Sequence, residues 1–185
     1  AGADGHRDRL CDIGAAVLCM PTSAFRAVAG HAQPTLAVVD DLRREFGTSF
    51  EATAYRVATA AAEPVAVARF CFRRTKAQTG RARNGQLFPE EEIASETSKY
   101  RRQSFHASPS YPKDLVFPWN KSLPEQSVAY TARESTGLVS ATEILAPRTR
   151  AIAPFRVEAI VAPYQRGDAA HEWPDILVLL ALKRD

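Results

Sequence analysis

The run Ile176–Leu182 constrains the fold more than any other part of this 185-residue sequence. All of its residues are apolar, so a strand built from them has no polar face to turn toward water. Such a strand belongs in the middle of a sheet that is covered on both sides. Just upstream, Phe155, Val157, Ala159 and Val161 occupy every second position, as they do on one face of a strand. The sequence therefore predicts a sheet with 176–182 in its interior and at least one helix packed on it.

The first sixty residues have a different pattern, because they are rich in alanine and place apolar residues at helical spacing. The predicted helices cover 7–20, Ser23–Ala29, a stretch that begins at Pro34 and ends before Gly47, and a stretch that runs from the T-x-x-E capping box at Thr48–Glu51 to about Ala61. A helix, a glycine turn and a second helix are the outline of a helix-turn-helix.

Beyond Pro64, prolines and aromatics become frequent and period-two patterns replace the helical one. Strands are predicted at 65–74, with two phenylalanines on one face, and at 100–107. A capping box at Ser122–Glu125 predicts a helix from Leu123 to Thr136. The predicted class is α+β: a helical, helix-turn-helix-like segment at 1–64, followed by a unit at 65–185 with a mixed or antiparallel sheet covered by helices.

Charge and composition limit the functions that this chain can have. No apolar run is long enough for a membrane helix, so a cytoplasmic protein with no membrane partner is predicted. Residues 1–64 carry six Lys and Arg against eight Asp and Glu, whereas 65–185 carry eighteen against thirteen. The second part is therefore the basic one. Cys11, Cys19 and Cys71 lack zinc spacing and are interpreted as buried thiols in a reducing compartment.

The sequence contains no recognisable catalytic motif. The four histidines are widely spaced, no HExxH pair is present, and G-x-S-x-G, phosphate-loop and G-x-G-x-x-G patterns are missing. We therefore assign no catalytic residue and no cofactor to this chain on its own.

Two stretches resemble a known family. Residues 10–21, with the sequence LCDIGAAVLCMP, are similar to the helix with an A-x-x-L-L-M-P pattern in the ImmA/IrrE zinc metallopeptidases. Residues 42–57, LRREFGTSFEATAYRV, resemble the helical pair L-A-x-x-F-x-V-S-x-x-A-x-x-x-R-L that follows it in that family. Residues 117–130, FPWNKSLPEQSVAY, are similar to part of the GAF-like domain of the radiation-response members.

The resemblance implies that this chain is the carboxyl-terminal, regulatory part of such a protein. The family's HExxH helix has no counterpart here and would precede residue 1, so zinc is expected only if that upstream half is present. Asp8 is the positional candidate for the family's third zinc ligand. The parent protein would cleave a helix-turn-helix repressor during stress, and this chain would bind the repressor or a signal.

Two alternatives to that function remain open, a small-molecule-binding GAF-like module and a DNA-binding regulator. The aromatic candidates for a ligand pocket are Phe70, Phe72, Phe117, Trp119, Tyr130 and Phe155. The candidates for contact with nucleic acid are Arg43, Arg44, Arg56, Arg69, Arg73 and Arg74.

Overall fold

A computed structural model describes residues 14–15, 17–29, 32–73, 98–135, 137–148, 151–162 and 174–183. Three helices come first: α1 (Thr22–Ala29), α2 (Leu36–Phe46) and α3 (Phe50–Ala60). They are followed by the strands β1 (Val65–Arg73) and β2 (Lys99–Ala107) and by a 3-10 turn at 113–115. The short helix α4 (Val128–Thr131) continues as a 3-10 turn to residue 134, and β3 (Val139–Arg148), β4 (Ala151–Val161) and β5 (Ile176–Leu182) complete the described chain.

The five strands form one sheet in the order β2-β1-β5-β4-β3, and every pair of neighbours is antiparallel. The all-apolar strand β5 is thus the central one, as its sequence predicts. Its side chains alternate between two cores, with Leu177 and Leu179 on one face and Val178 and Leu180 on the other. The α+β class is confirmed, and the sheet is antiparallel rather than mixed.

The two faces of the sheet are covered by different parts of the chain. Helices α1–α3 pack on the face that includes Val65, Val67 and Leu179. The opposite face is covered by the segment 108–134, and its core is rich in aromatic rings. A sheet buried on both faces explains why the central strand has no polar residues.

The ends of α2 follow directly from local sequence. Thr35 is the N-cap, and its hydroxyl accepts a hydrogen bond from Val38 N at 3.1 Å. Gly47 ends the helix with a left-handed φ of 62°, and its N–H donates to Arg43 O. The predicted stop at Gly47 is confirmed, but the helix begins after Thr35 rather than at Pro34.

The capping box predicted at Thr48 is wrong by one residue. Ser49 caps α3 and accepts from Ala52 N at 3.2 Å. The Thr48 hydroxyl instead shares a hydrogen bond with the Thr53 hydroxyl at 2.7 Å. The carboxylate of Glu51 accepts from the phenol of Tyr55 and does not turn back to the helix start.

The helix predicted at 123–136 is present but begins five residues later than predicted. Ser122 forms a β-bridge with Arg101, and Leu123 N donates to Tyr100 O at 3.0 Å, so this part of the chain lies extended along β2. The helix starts only after Ser127, whose hydroxyl accepts from Ala129 N. In the predicted first helix at 7–20, residues 14–15 and 17–19 are helical and the first part lies outside the described residues.

Glu158 joins the helices to the sheet. This β4 residue is only 5% exposed, and its Oε2 accepts from Leu36 N at 2.7 Å, at the positive end of α2. Arg156 stands 3.2 Å from the other carboxylate oxygen and donates to Pro34 O at 2.6 Å. The pair therefore holds the first turn of α2 against the sheet.

Glu158→Gln is expected to lower the free energy of unfolding by about 1–3 kcal/mol, because a buried hydrogen bond to a charged group is lost while the side-chain volume is kept. Urea denaturation measures the change. Glu134→Gln is the matched control, since Glu134 is exposed and its ion pair is with its sequence neighbour Arg133, and it is expected to stay within about 0.5 kcal/mol. Equal midpoints for Glu158→Gln and the unchanged chain would contradict the anchoring role.

Candidate functional site

The six predicted pocket aromatics lie mostly in the core beneath the segment 108–134. Phe70, Phe117 and Phe155 are fully buried, and Phe72 packs partly buried beside them. Tyr130 is also packed there, and its hydroxyl accepts from Tyr100 N at 3.2 Å. Trp119 differs from the other five because it is 54% exposed.

Tyr100 is a member of this aromatic cluster that the sequence did not single out. Its ring meets those of Phe72 and Tyr130 edge to face, with centroids 5.3 and 5.0 Å apart, and its hydroxyl donates to Pro174 O at 3.0 Å. Burial raises the pKa of Tyr100 to about 12, so the phenol is neutral in the folded protein near neutral pH. The neighbours of Tyr100 in the sequence are polar, so no sequence pattern indicates that its ring is buried.

Five of the six predicted nucleic-acid arginines, Arg73 among them, have hydrogen-bond or ion-pair partners inside the protein. Arg43 and Arg44 both pair with the Asp40 carboxylate on α2. Arg56 Nη2 donates to Thr22 Oγ1 at 2.6 Å, and the Nε of Arg69 donates to Asp175 at 2.9 Å. The contacts of Arg56 and Arg69 join different parts of the fold, whereas those of Arg43 and Arg44 lie within α2. Arg74 lies outside the described residues, as does Asp8.

Arg73, the remaining candidate, lies beside Trp119 in a group that we name the arginine–tryptophan surface: Arg73, Arg101, Arg102, Trp119 and Lys121. The guanidinium carbons of Arg73 and Arg102 lie 5.4 and 5.6 Å from the centroid of the Trp119 ring. Arg101, Arg102 and Lys121 were not predicted from the sequence. Two adjacent arginines in a predicted strand could have indicated a basic surface there.

A polar cluster links α3 to β2 on the other face of the sheet. The phenol of Tyr55 hydrogen bonds to Glu51 and shares a 2.5 Å hydrogen bond with Ser104 Oγ. Its ring stacks on His106, with centroids 3.9 Å apart. In the part of the chain that the structure describes, no group of three His, Cys, Asp or Glu side chains is arranged to hold a metal ion.

The interpretation of the cysteines as buried thiols needs correction, because Cys19 is exposed and Cys71 is only half-buried; Cys11 lies outside the described residues. Burial raises the pKa of Cys71 to about 11, and a hydrogen bond to Asp175 acts in the same direction. The thiolate is the reactive form of cysteine, so Cys71 is poorly suited to nucleophilic chemistry near neutral pH.

Cys71 is therefore expected to react with iodoacetamide at pH 8 on the order of 100-fold more slowly in the folded chain than in urea, because its thiolate is that much scarcer. Peptide mass spectrometry follows the two rates, with urea-unfolded chain as the control. Because the pKa is raised, the folded-state rate should keep rising as the pH approaches 11. A plateau near pH 9 would contradict the shift.

Two cavities open from the described surface. One, of about 640 Å³, lies among α1, α2 and α3 and is lined by Phe25, Pro34 and Val57 together with several alanines. The other, of about 390 Å³, lies beside Phe117, Leu123 and Lys99. Phe117 is the single predicted pocket aromatic that lines either of these two cavities.

Protein families and curated proteins give no further guide to the site. No protein-family profile matches this chain, and no curated protein is significantly similar to it. No helix among the described residues combines the length and apolarity that crossing a bilayer requires.

Proposed function

We propose that this chain is the non-catalytic regulatory part of an ImmA/IrrE-like stress-response protein, and that α2 and α3 bind a helix-turn-helix repressor while a GAF-like unit at 65–185 senses a signal. The observation that carries the proposal is the helical pair over 36–60, which falls on the segment that resembles the family's helical pair. The five-stranded antiparallel sheet behind it also supports the GAF-like part of the proposal.

The outward surface of the helical pair favours a protein partner over DNA. Asp41, Arg44 and Glu45 are exposed along α2, and the carboxylate of Asp40 pairs with both arginines of the helix. A polyanion gains affinity from unpaired cations, and this surface mixes both signs of charge. Mixed charges of this kind contribute to the specificity of protein–protein contacts.

The first test is the reading frame upstream of residue 1 in the source gene. The proposal expects an HExxH helix a few tens of residues before it, and a stop codon or an unrelated sequence would overturn the proposed parentage. The second test is calorimetric titration with a helix-turn-helix repressor from the source organism. Asp41→Arg should weaken that binding about tenfold or more, because it reverses a charge in the contact surface.

The control for the titration is Glu134→Arg, which makes the same charge reversal at an exposed position of the sheet unit. It should leave the affinity unchanged. Equal losses from the two variants would mean that the repressor responds to net charge rather than to the surface of α2, and would contradict the proposed contact.

The cavity among the helices supports small-molecule binding as a second candidate function. Its volume of about 640 Å³ falls in the range typical of ligand sites. A ligand that binds there should raise the melting temperature, and Ala60→Leu, which fills part of the cavity, should abolish that rise. A metabolite panel that leaves the melting temperature unchanged would count against this candidate.

A further inference from the structure

The arginine–tryptophan surface lies where β1 ends and β2 begins. Hydrogen bonds connect residues 120 and 121 to these two strands. Asn120, with a left-handed φ of 62°, accepts from Arg73 Nη2 through its side-chain oxygen at 2.7 Å and from Arg101 Nη1 through its carbonyl at 3.2 Å. Arg102 N donates to Lys121 O at 3.0 Å, and Asn120 N to Arg102 O at 3.4 Å. The loop that carries Trp119 is therefore paired to the edge strand.

Within the described part of the chain, no acidic side chain neutralises the charges of this surface. Among the described residues, no carboxylate forms an ion pair with Arg73, Arg101, Arg102 or Lys121. Other arginines of the chain do have such partners, as Arg69 has Asp175 and Arg156 has Glu158. Four cations held close together without an acid favour the approach of an anion.

Arg102 and Arg73 are the two arginines of this surface whose Nε atoms are buried without a hydrogen-bond partner among the described residues. The Arg102 guanidinium lies between two aromatic rings, 5.6 Å from the centroid of Trp119 and 5.7 Å from that of Phe105. Burial lowers the pKa of Arg102, which is the expected cost of a cation with few polar partners.

Trp119 adds a flat apolar surface to these cations. More than half of its side chain is exposed, which is unusual for a residue that gains from burial. Exposed aromatic rings beside arginines are the combination by which proteins hold unpaired bases and their phosphates. In a duplex the bases are stacked on each other, so an exposed indole has less to gain there.

We infer that the arginine–tryptophan surface binds single-stranded nucleic acid, with an unpaired base on Trp119 and phosphates beside Arg73, Arg101, Arg102 and Lys121. This binding is independent of the repressor contact proposed for α2 and α3, because none of the residues of this surface lies on those helices. Among the described members of the predicted nucleic-acid set, Arg73 is the one that belongs to this surface.

The test is fluorescence anisotropy of labelled 20-nucleotide oligothymidine and of a 20-base-pair duplex, titrated with the full chain at 50–200 mM salt. The single strand should bind at least tenfold more tightly than the duplex. Trp119→Ala should weaken single-strand binding about 5- to 150-fold, the range expected for one lost base stack, and Trp119→Phe should restore most of it. Arg101→Gln should also weaken it and reduce the salt dependence by roughly one phosphate contact.

The matched control is Lys183→Gln, which removes one exposed positive charge at the opposite end of the sheet from Arg73. It should change neither affinity nor salt dependence. Trp119→Ala should also keep the melting temperature of the unchanged chain, which separates lost binding from lost folding. The inference would be overturned if Lys183→Gln and Arg101→Gln lost affinity equally, or if the duplex bound as tightly as the single strand. Binding of phosphatidylserine vesicles without binding of oligothymidine would also overturn it.

Discussion

A chain from which residues 1–64 have been deleted is expected not to fold into a soluble unit. Helices α1–α3 cover the middle of one face of the sheet, and deleting them exposes Val65, Val67, Leu177 and Leu179, which are fully buried in the intact chain. Glu158 also loses its hydrogen bond from Leu36 N, and a buried carboxylate without its partner is costly. An exposed apolar face of this kind leads to aggregation or unfolding.

Circular dichroism and size exclusion of the fragment 65–185 measure this effect. Adding residues 1–64 as a separate chain is the control, and the two pieces should copurify as a folded complex. Trp173→Phe leaves Trp119 as the single tryptophan of the intact chain. In that variant, the helical circular dichroism signal and the native fluorescence of Trp119 should be lost at the same urea concentration, as expected if helices and sheet unfold together. A soluble fragment with a cooperative transition of its own would contradict the prediction and would support two separate domains that meet near Pro64.

The elements that sequence reasoning predicted correctly are those in which local and tertiary preferences agree. Gly47 ends α2 because the left-handed conformation suits glycine, whatever surrounds it. The strand at 176–182 is apolar on both faces, and only the middle of a covered sheet satisfies that pattern. In the first case the requirement is a left-handed backbone conformation, and in the second it is burial of both faces of the strand; each is decided by the local sequence alone.

The predictions failed where tertiary contacts decided between local options. Ser122 and Glu125 have the spacing of a capping box, but hydrogen bonds to β2 keep this stretch extended. Strand β3 was not predicted because its alternation is broken at two positions. Glu143 points inward, where it accepts from Val128 N, and Ile144 points outward and is exposed.

The candidate site was harder to predict than the fold. Sequence alone cannot separate an aromatic residue that fills the core from one that lies on the surface, because both belong to the same alternating patterns. Arg73 and Trp119 are 46 positions apart in the chain, and the loop geometry at Asn120 brings them together. Such a contact depends on the strand register between β1 and β2, which the sequence leaves open.

Phe70→Ala separates the two kinds of aromatic residue directly. Phe70 is fully buried on β1 and its ring meets Phe117 edge to face at 6.0 Å, so the truncation leaves a cavity in the core. We expect the free energy of unfolding to fall by about 3–5 kcal/mol, which is a large part of the stability of a domain of this size.

Urea denaturation measures that loss, with Trp119→Ala as the control that removes an aromatic side chain of larger size from the surface. The control should cost less than about 1 kcal/mol, because the indole is half-exposed and buries little apolar area. The contrast tests whether five of the six pocket candidates serve the core rather than a ligand. If Phe70→Ala lowered the free energy of unfolding no more than Trp119→Ala, the Phe70 ring would contribute little to stability. A ligand site beneath 108–134 would then be the better interpretation.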